Sequence, residues 1–532
     1  MAAMGSGTGS RANIVLRGPD SASKWLTLIA ACLGLGMLMI DTFVVNVAFP
    51  AIARSFKAEL STAEWTVSGY VLVLAVLPIA MGRLGDLFGR RAVYIAGLLL
   101  FIVSSAASGA AQGIGQLIVF RVLQGVGAAT MMPGTLSLIT RAFPARQRGL
   151  AIGIWGGVSG LGLIAGPILG GLLVHGDSWR WIFFINLPIG AIALAMAVLF
   201  VVESRDEYAP RSIDWPGLGS LSGALFLIMY GFTRANGEGW TSPLILSCFA
   251  AGLVLLAAFV YVEQRVRYPL VELALFRSGT FVMACLSALL FSLAVFGTQP
   301  YTSLFMQNYW GFTPLEGGFG YLPSTALVAL MMPASGIIGQ RLGSRLRLLV
   351  VIGSVLVGLS FLYMLRLDSS SNYAVGFLPP FLIRGAGIGL VMSASSLAVM
   401  SAVPLAKSGL ASGTLTMARN IGTSMGVALM GAVYLNHVDG AVATRVGSTS
   451  PDQLARLKAG VDHFVPAGQG SVNAVMRQII VEGFVRTAVV ASLVCVVATL
   501  AAFFIRHSLS VTVPPIPETA PSPIVALTTA ST

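Results

Sequence analysis

Charge is scarce in this sequence. Only 10% of the 532 residues are Asp, Glu, Lys or Arg, where soluble proteins carry about 25%. The deficit runs along nearly the whole chain, and the loops between apolar runs are too short to give a large soluble core a polar shell. Cysteine and histidine are scarce too. Cys32, Cys248, Cys285 and Cys495 fall inside apolar runs, without metal-ligand spacing or a disulfide framework. His175, His437, His463 and His507 lie outside those runs or at their ends. No GxxxxGK[ST] phosphate loop is present, which excludes an ATP-driven domain in this sequence. GVSGLG looks like part of a dinucleotide loop but lies inside an apolar helix, where it has no bearing on nucleotides. No string of polar backbone positions suggests a channel filter. No nucleophile, base and metal cluster converges, so neither an enzyme nor a cofactor is expected.

What the chain has is apolar length, with 56% hydrophobic residues. Runs of about twenty residues recur, each long enough to cross the hydrocarbon core of a bilayer. Helices are expected near 26–50, 63–81, 92–110, 117–138, 149–173, 181–201, 216–233, 243–262, 279–300, 317–338, 348–365, 375–401, 409–434 and 481–505, fourteen in all. The net charge of +12 would suggest nucleic acid in a soluble protein. Here the basic residues fall in short loops and report topology instead. Arg83, Arg90, Arg91, Arg141, Arg146, Arg148, Arg265, Arg341, Arg345 and Arg347 fall on one side if the N-terminus is inside. The other side holds arginine or lysine mostly one at a time. An even count keeps that alternation and puts both termini in the cytoplasm of a multi-pass cell (plasma, inner) membrane protein.

The expected organisation is a cytoplasmic tail over 1–25, a first bundle over 26–201, a linking pair of helices with flanking loops over 202–278, and a second bundle over 279–505. The second bundle contains a long outer loop at 435–480, with a short amphipathic helix near 452–463. The first run is read as a retained helix because no small-residue cleavage site follows it. The Pro-, Thr- and Ala-rich residues 506–532 read as a disordered cytoplasmic tail.

Four stretches carry chemistry. LGMLMIDTFVVNVAFP at 35–50 places Asp41 in the middle of an apolar helix, with Thr42 and Asn46 nearby. An intramembrane carboxylate is expensive and usually has a task. GRLGDLFGRR at 82–91 sets Asp86 against Arg90 and Arg91 between two helices, with Gly82 and Gly89 allowing tight backbone. It reads either as a latch between helix ends or as an ordinary solvated turn. LIVFRVLQGVGAATMMP at 117–133 places Arg121 and Gln124 on an apolar helix. Snorkelling toward the near surface is the alternative to a functional arginine. GIWGGVSGLGLIAGPILGG at 153–171 spaces Gly162, Gly166 and Gly170 four apart, with Pro167 among them. That is a close-packing stripe, compatible with an interface between moving bundles.

Taken in order, IDTFVVNVAFP, GRLGDLFGRR, RVLQGVGAA and GLIAGPILGG resemble the motifs of the major facilitator superfamily, close to its DHA2 subfamily of fourteen-helix drug:proton antiporters. The resemblance covers roughly 26–505. It implies an all-α membrane protein of two six-helix bundles plus two extra central helices, alternating access between them, and proton-driven multidrug efflux. GIIGQRLGSRLR at 336–347 looks like a second copy of GRLGDLFGRR that lacks its acid. The expected function is export of amphipathic drugs, antibiotics or lipophilic metabolites, with Asp41 the main proton-coupling carboxylate and Arg121, Asp86 and Arg90 acting with it. A dedicated metabolite or lipid exporter, a nutrient symporter and a non-transporting receptor are the alternatives. Candidate substrate contacts are Thr42, Asn46, Gln124, Phe291, Phe305, Gln307, Met392, Met417 and Asn420. Lipid-facing packing is the other reading of Met392 and Met417. Expected partners are the small-molecule substrate, protons and membrane lipids, with no nucleic acid and no metal, and a working monomer.

Overall fold

The computed structural model describes residues 21–58, 60–173, 178–205, 214–266, 269–271, 273–368, 371–445 and 470–505. The tail residues 1–20, the amphipathic helix near 452–463 and the disordered tail at 506–532 fall outside the described residues. Among the described residues the chain is helical, with no strand. The main helices of the first part are α1 (Ser21–Ser55), α2 (Trp65–Val76), α3 (Pro78–Phe88), α4 (Arg90–Ala110), α5 (Ile114–Ala142), α6 (Ala145–Leu173) and α7 (Asn186–Phe200). A linking pair follows, α8 (Trp215–Glu238) and α9 (Pro243–Glu263). The last part holds α10 (Gly279–Gly297), α11 (Gln299–Trp310), α12 (Leu322–Leu342), α13 (Arg347–Tyr363), α14 (Leu378–Ser401), α15 (Ser408–Arg445) and α16 (Gly470–Phe503).

Local chemistry sets several of these boundaries. Asp214, Ser242 and Ser278 cap α8, α9 and α10, each accepting from the backbone N–H three residues on. The expected helix 63–81 is two helices, α2 and α3, bent by 52° at Leu77. Pro78 supplies the break, since it has no N–H to donate and its ring crowds the preceding turn. The expected helix 279–300 breaks likewise at Thr298, two residues before Pro300, and α11 continues it to Trp310. The long loop expected at 435–480 is shorter: α15 runs to Arg445 and α16 begins at Gly470. Polar letters hid this. Val438 and Val442 keep one buried helical face through HVDGAVATR, as Ile479, Val481 and Phe484 do on the other side.

Large apolar side chains cover the outside. Val103, Leu199, Leu253, Val254, Leu330, Leu493 and Phe504 are each more than 60% exposed. In water such a surface would associate; in lipid it is solvated. Eleven described helices are long and apolar enough to cross a membrane, twelve when the bent α2–α3 pair counts as one span. The protein is a multi-pass membrane protein. The four cysteines are free and buried.

Two seams join the first and last parts of the chain, and both depend on glycine. At one, α3 meets α15: a Cβ on Gly82 would strike the Gly409 carbonyl, and one on Gly413 the Pro78 carbonyl. At the other, α6 lies along α12 with Gly149 and Gly336 backbone to backbone, and Gly153, Gly156, Gly157 and Gly160 continue the contact past Pro333, Met332, Ala329 and Val328. Of the glycine stripe expected for close packing, Gly156 and Gly160 lie at this seam, while Gly162 and Gly166 pack on Met39 and Phe43 of α1. The helix turns between the two sets, so one run of glycines serves two neighbours. Gly170 is buried, and α6 continues through Pro167, whose side chain is outside the described residues.

Candidate functional site

Asp41 lies in the middle of α1 and is fully buried. Three donors converge on its carboxylate. Arg121 Nη1 donates to Oδ2 at 2.7 Å, Gln124 Nε2 to Oδ1 at 2.9 Å, and Asn186 Nδ2 to Oδ1 at 2.9 Å. Arg121 and Gln124 are three apart on α5, so they share a face. Asn186 opens α7. The carboxylate therefore ties α1 to two other helices at once. Hydrogen bonds to charged groups contribute about 1.5–3 kcal/mol each, which offsets the cost of burying the pair.

Arg121 is held on its far side as well. Its Nε donates to the Thr66 carbonyl at 3.0 Å and its Nη1 to Gln124 Oε1 at 2.8 Å. The guanidinium lies 4.1 Å from the Tyr70 ring centre and 5.7 Å from that of Phe183. Snorkelling is thus not its role, since it is buried and points at a carboxylate 80 positions away. Thr42 Oγ1 donates to the Leu38 carbonyl and stands 3.3 Å from the Tyr70 hydroxyl. The second Asn186 N–H goes to Ser105 Oγ at 3.0 Å. Sequence reasoning missed Asn186, Tyr70, Thr66 and Ser105. The available signal was an asparagine in IFFINLPIG, a polar letter within an apolar run.

A second charged cluster joins α3 and α4 to the segment that opens α15. Arg90 Nε and Nη2 both donate to Asp86 Oδ1, at 2.9 and 2.6 Å. Asp86 also accepts from the backbone N–H groups of Gly409 at 3.0 Å and Leu410 at 2.8 Å. These are free donors in the first turn of α15, where a carboxylate is favoured. Arg90 Nη2 reaches the Leu405 and Ala406 carbonyls at 3.0 and 2.7 Å. Asp86 and Arg90 are buried, so the solvated-turn reading fails. Gly89 takes φ +114, and a Cβ there would meet the Glu203 carboxylate, which accepts from the N–H groups of Arg91 and Ala92. At the second seam the acid-less repeat contributes Gln340, whose Nε2 donates to the Ala145 carbonyl at 3.0 Å.

The other substrate-contact candidates do not gather around Asp41. Phe291 and Phe305 are 1% exposed in the core of the last part, and Phe305 stacks on Tyr309 and Phe377. Gln307 bonds its own helix at Ser303. The Met392 carbonyl accepts from Arg419, and Met417 packs in the apolar cluster around Leu410. Asn420 Nδ2 donates to the Leu74 carbonyl at 2.9 Å, joining α15 to α2. The Asn46 side chain is outside the described residues. Arg384 and Arg419 are buried with no carboxylate partner among the described residues. A cavity of about 520 Å³ opens between α15 and α16, lined by Asn436, His437, Thr444 and Arg486, away from the Asp41 network.

The sequence pattern of the Major Facilitator Superfamily matches residues 31–427. The tetracenomycin C resistance and export protein of Streptomyces glaucescens is 34% identical over 505 residues, covering 91% of this chain and 92% of its own. The multidrug resistance protein Stp of Mycobacterium tuberculosis (strain CDC 1551 / Oshkosh) is 35% identical over 435 residues, covering 82% and 80%. Among solved structures, the human organic anion transporter MFSD10 superposes with TM-score 0.59 at 15% identity, covering 90% of this chain and 99% of that one. A bacterial homolog of the human lysosomal transporter Spinster gives 0.55 at 17%, covering 92% and 100%. With a buried ion pair in a helix that faces protein inside lipid, and this likeness along nearly its whole length, the chain is a membrane transporter and belongs to the major facilitator superfamily.

Proposed function

We propose that this protein exports amphipathic small molecules in exchange for protons, as a DHA2-type antiporter whose proton-carrying group is Asp41. The observation that carries this reading is the three-donor cage around a buried mid-helix carboxylate. Ionised, Asp41 accepts from all three donors and ties α1 to α5 and α7. Protonated, it becomes a donor on one oxygen, and its attraction for Arg121 falls away. Arg121 stays fixed by Thr66, Gln124 and Tyr70, so protonation frees α1 rather than the arginine. A site that changes its helix contacts with its proton can couple proton entry to a rocking motion. The names of the relatives support export of drug-like cargo: one exports tetracenomycin C, another confers multidrug resistance, and a third, from Streptomyces alboniger, confers puromycin resistance.

In this reading the twelve candidate spans are joined by α6 and α15, helices of 29 and 38 residues. That makes fourteen spans in two six-helix bundles, with α8 and α9 between them and both termini cytoplasmic. The chain works as a monomer. Asp86 and Arg90 hold the cytoplasmic end shut while Asp41 is reached from outside. The test is flux in proteoliposomes under an imposed pH gradient, with Asp41→Asn beside the wild type. Proton-driven export is expected in the wild type and its loss in the variant; wild-type coupling in Asp41→Asn would falsify the assignment. A panel of cationic dyes, neutral antibiotics and amphipathic lipids addresses the second reading, a dedicated exporter of one compound. That reading is favoured by the near full-length match to a protein named for a single compound. One transported class among many supports it, and broad transport excludes it.

A further inference from the structure

Two buried carboxyls outside the Asp41 network lie where the linking pair meets the rest of the protein. Asp214 precedes α8 and is 6% exposed; Glu263 ends α9 and is 5% exposed. Both reach the same small space above Gly217. Asp214 Cγ stands 2.8 Å and Glu263 Oε1 3.2 Å from the point where a Cβ on that glycine would lie. Backbone donors serve both acids: Gly217 N–H bonds Asp214 Oδ1 at 2.8 Å, Val271 N–H bonds Glu263 Oε1 at 3.1 Å, and the Leu270 N–H also bears on the Glu263 carboxyl. The other oxygen of each, Asp214 Oδ2 and Glu263 Oε2, is buried and has no hydrogen-bond partner among the described residues. The charged neighbour is Arg83 of α3, itself buried, which bears on Glu263 electrostatically but makes no ion pair among the described residues. Asp86, three positions on from Arg83, is already neutralised by Arg90.

The two carboxyls share one pocket, and each keeps one oxygen without a donor among the described residues. Like charges sharing a buried site do not both ionise readily. A proton on either acid removes the repulsion between them and brings the net charge of the pair together with Arg83 from −1 to zero. We propose that Asp214 and Glu263 form a second proton-binding site that takes up one proton. The pair also connects to the Asp86–Arg90 cluster. Glu263 fixes Val271, and Leu270 and Val271 pack with Leu410, whose backbone N–H bonds Asp86. The proton on this pair therefore sets how firmly α8 and α9 grip the Asp86–Arg90 latch. This stands apart from the Asp41 reading and needs no part of it.

The test is infrared pH-difference spectroscopy on the full chain in lipid nanodiscs, scanning from about pH 5 to about pH 9. A protonated-carboxyl band worth one proton per chain is expected to titrate in Asp41→Asn and to vanish in both Glu263→Gln and Asp214→Asn. Gln and Asn copy the hydrogen-bonding shape of the protonated acid, so both variants are also expected to melt no lower than wild type. Persistence of the band in both amide variants overturns the site. Collapse of both variants overturns it too, since it would mean that the fold needs the pair fully ionised.

Discussion

At the residue scale, the Asp41–Arg121 pair is the feature most legible in the sequence and the one with the sharpest test. A carboxylate at the centre of an apolar helix and an arginine in another have few ways to be tolerated other than meeting. They meet at 2.7 Å, both buried. Removing one member strands the other as a buried unpaired charge, at about 3–5 kcal/mol, while replacing both is close to neutral. Arg121→Gln alone is therefore expected to melt well below wild type, and Asp41→Asn/Arg121→Gln is expected to recover most of the loss. Melting of the purified protein in lipid nanodiscs measures this; a double variant no better than Arg121→Gln would mean that the arginine matters through Thr66 and Tyr70 instead. Asn186 was not legible, because a single amide at a helix start looks like an interfacial residue until the chain brings it 145 positions back to Asp41. Asn186→Leu takes one donor from a buried carboxylate, a loss of about 1–3 kcal/mol. It is expected to reduce pH-driven flux while the protein still reaches the membrane; unchanged flux in vesicles would remove Asn186 from the site.

At the scale of elements, the glycines of α6 show where a pattern stops being informative. Spacing predicts a smooth face but does not say which neighbour rests on it. Gly149 to Gly160 face α12, and Gly162 and Gly166 face α1, because at 3.6 residues per turn the second set lies on the opposite side of the helix from the first. The helix ends were similarly blurred. Amphipathic ends of α15 and α16 continue past the apolar part of the pattern, and proline breaks at Pro78 and Pro300 split two expected helices. Gly149 and Gly336 touch through backbone, which cannot swing aside as a side chain can. Gly336→Ala is expected to push α6 and α12 apart at that end and disfavour its closed form by about 1–3 kcal/mol, the usual cost of overpacking. Solvent labelling of a cysteine placed in that seam should rise accordingly. Gly115→Ala, with nothing near its missing Cβ, is the control expected to change nothing.

At the scale of the whole molecule, Asp86 and Arg90 reach across from the first part of the chain to the last, the contact proposed to hold the cytoplasmic end shut. The motif GRLGDLFGRR was legible as a charged turn, but its partner was not. The partner is the main chain at Gly409 and Leu410, and backbone donors leave no mark in a sequence. Asp86→Ala is expected to release both N–H groups and free Arg90 from the Leu405 and Ala406 carbonyls. Distance measurements between labels on α3 and α15 should then show the closed form losing population by at least tenfold, from the loss of more than one charge-assisted hydrogen bond. An unchanged distance distribution would assign closure to the glycine seams alone.

That choice of partner has a consequence for genetics. A salt bridge between two side chains can be repaired by exchanging the charges, so a lesion in one partner selects revertants in the other. Asp86 grips α15 through peptide N–H groups that nearly every amino acid provides. A substitution at Leu410 leaves its donor in place, whereas any side chain at Gly409 would strike the Gly82 carbonyl, so neither position offers a new charge in the right place. A suppressor screen starting from Asp86→Ala is therefore expected to yield no compensating charge at either position. Revertants would restore an acid at 86 or weaken closure at the opposite end. The contact is written in the side chains of one part of the chain and read by the main chain of the other, so Leu410 carries no charge requirement while Gly409 and Gly413 stay fixed by the close approach of α3.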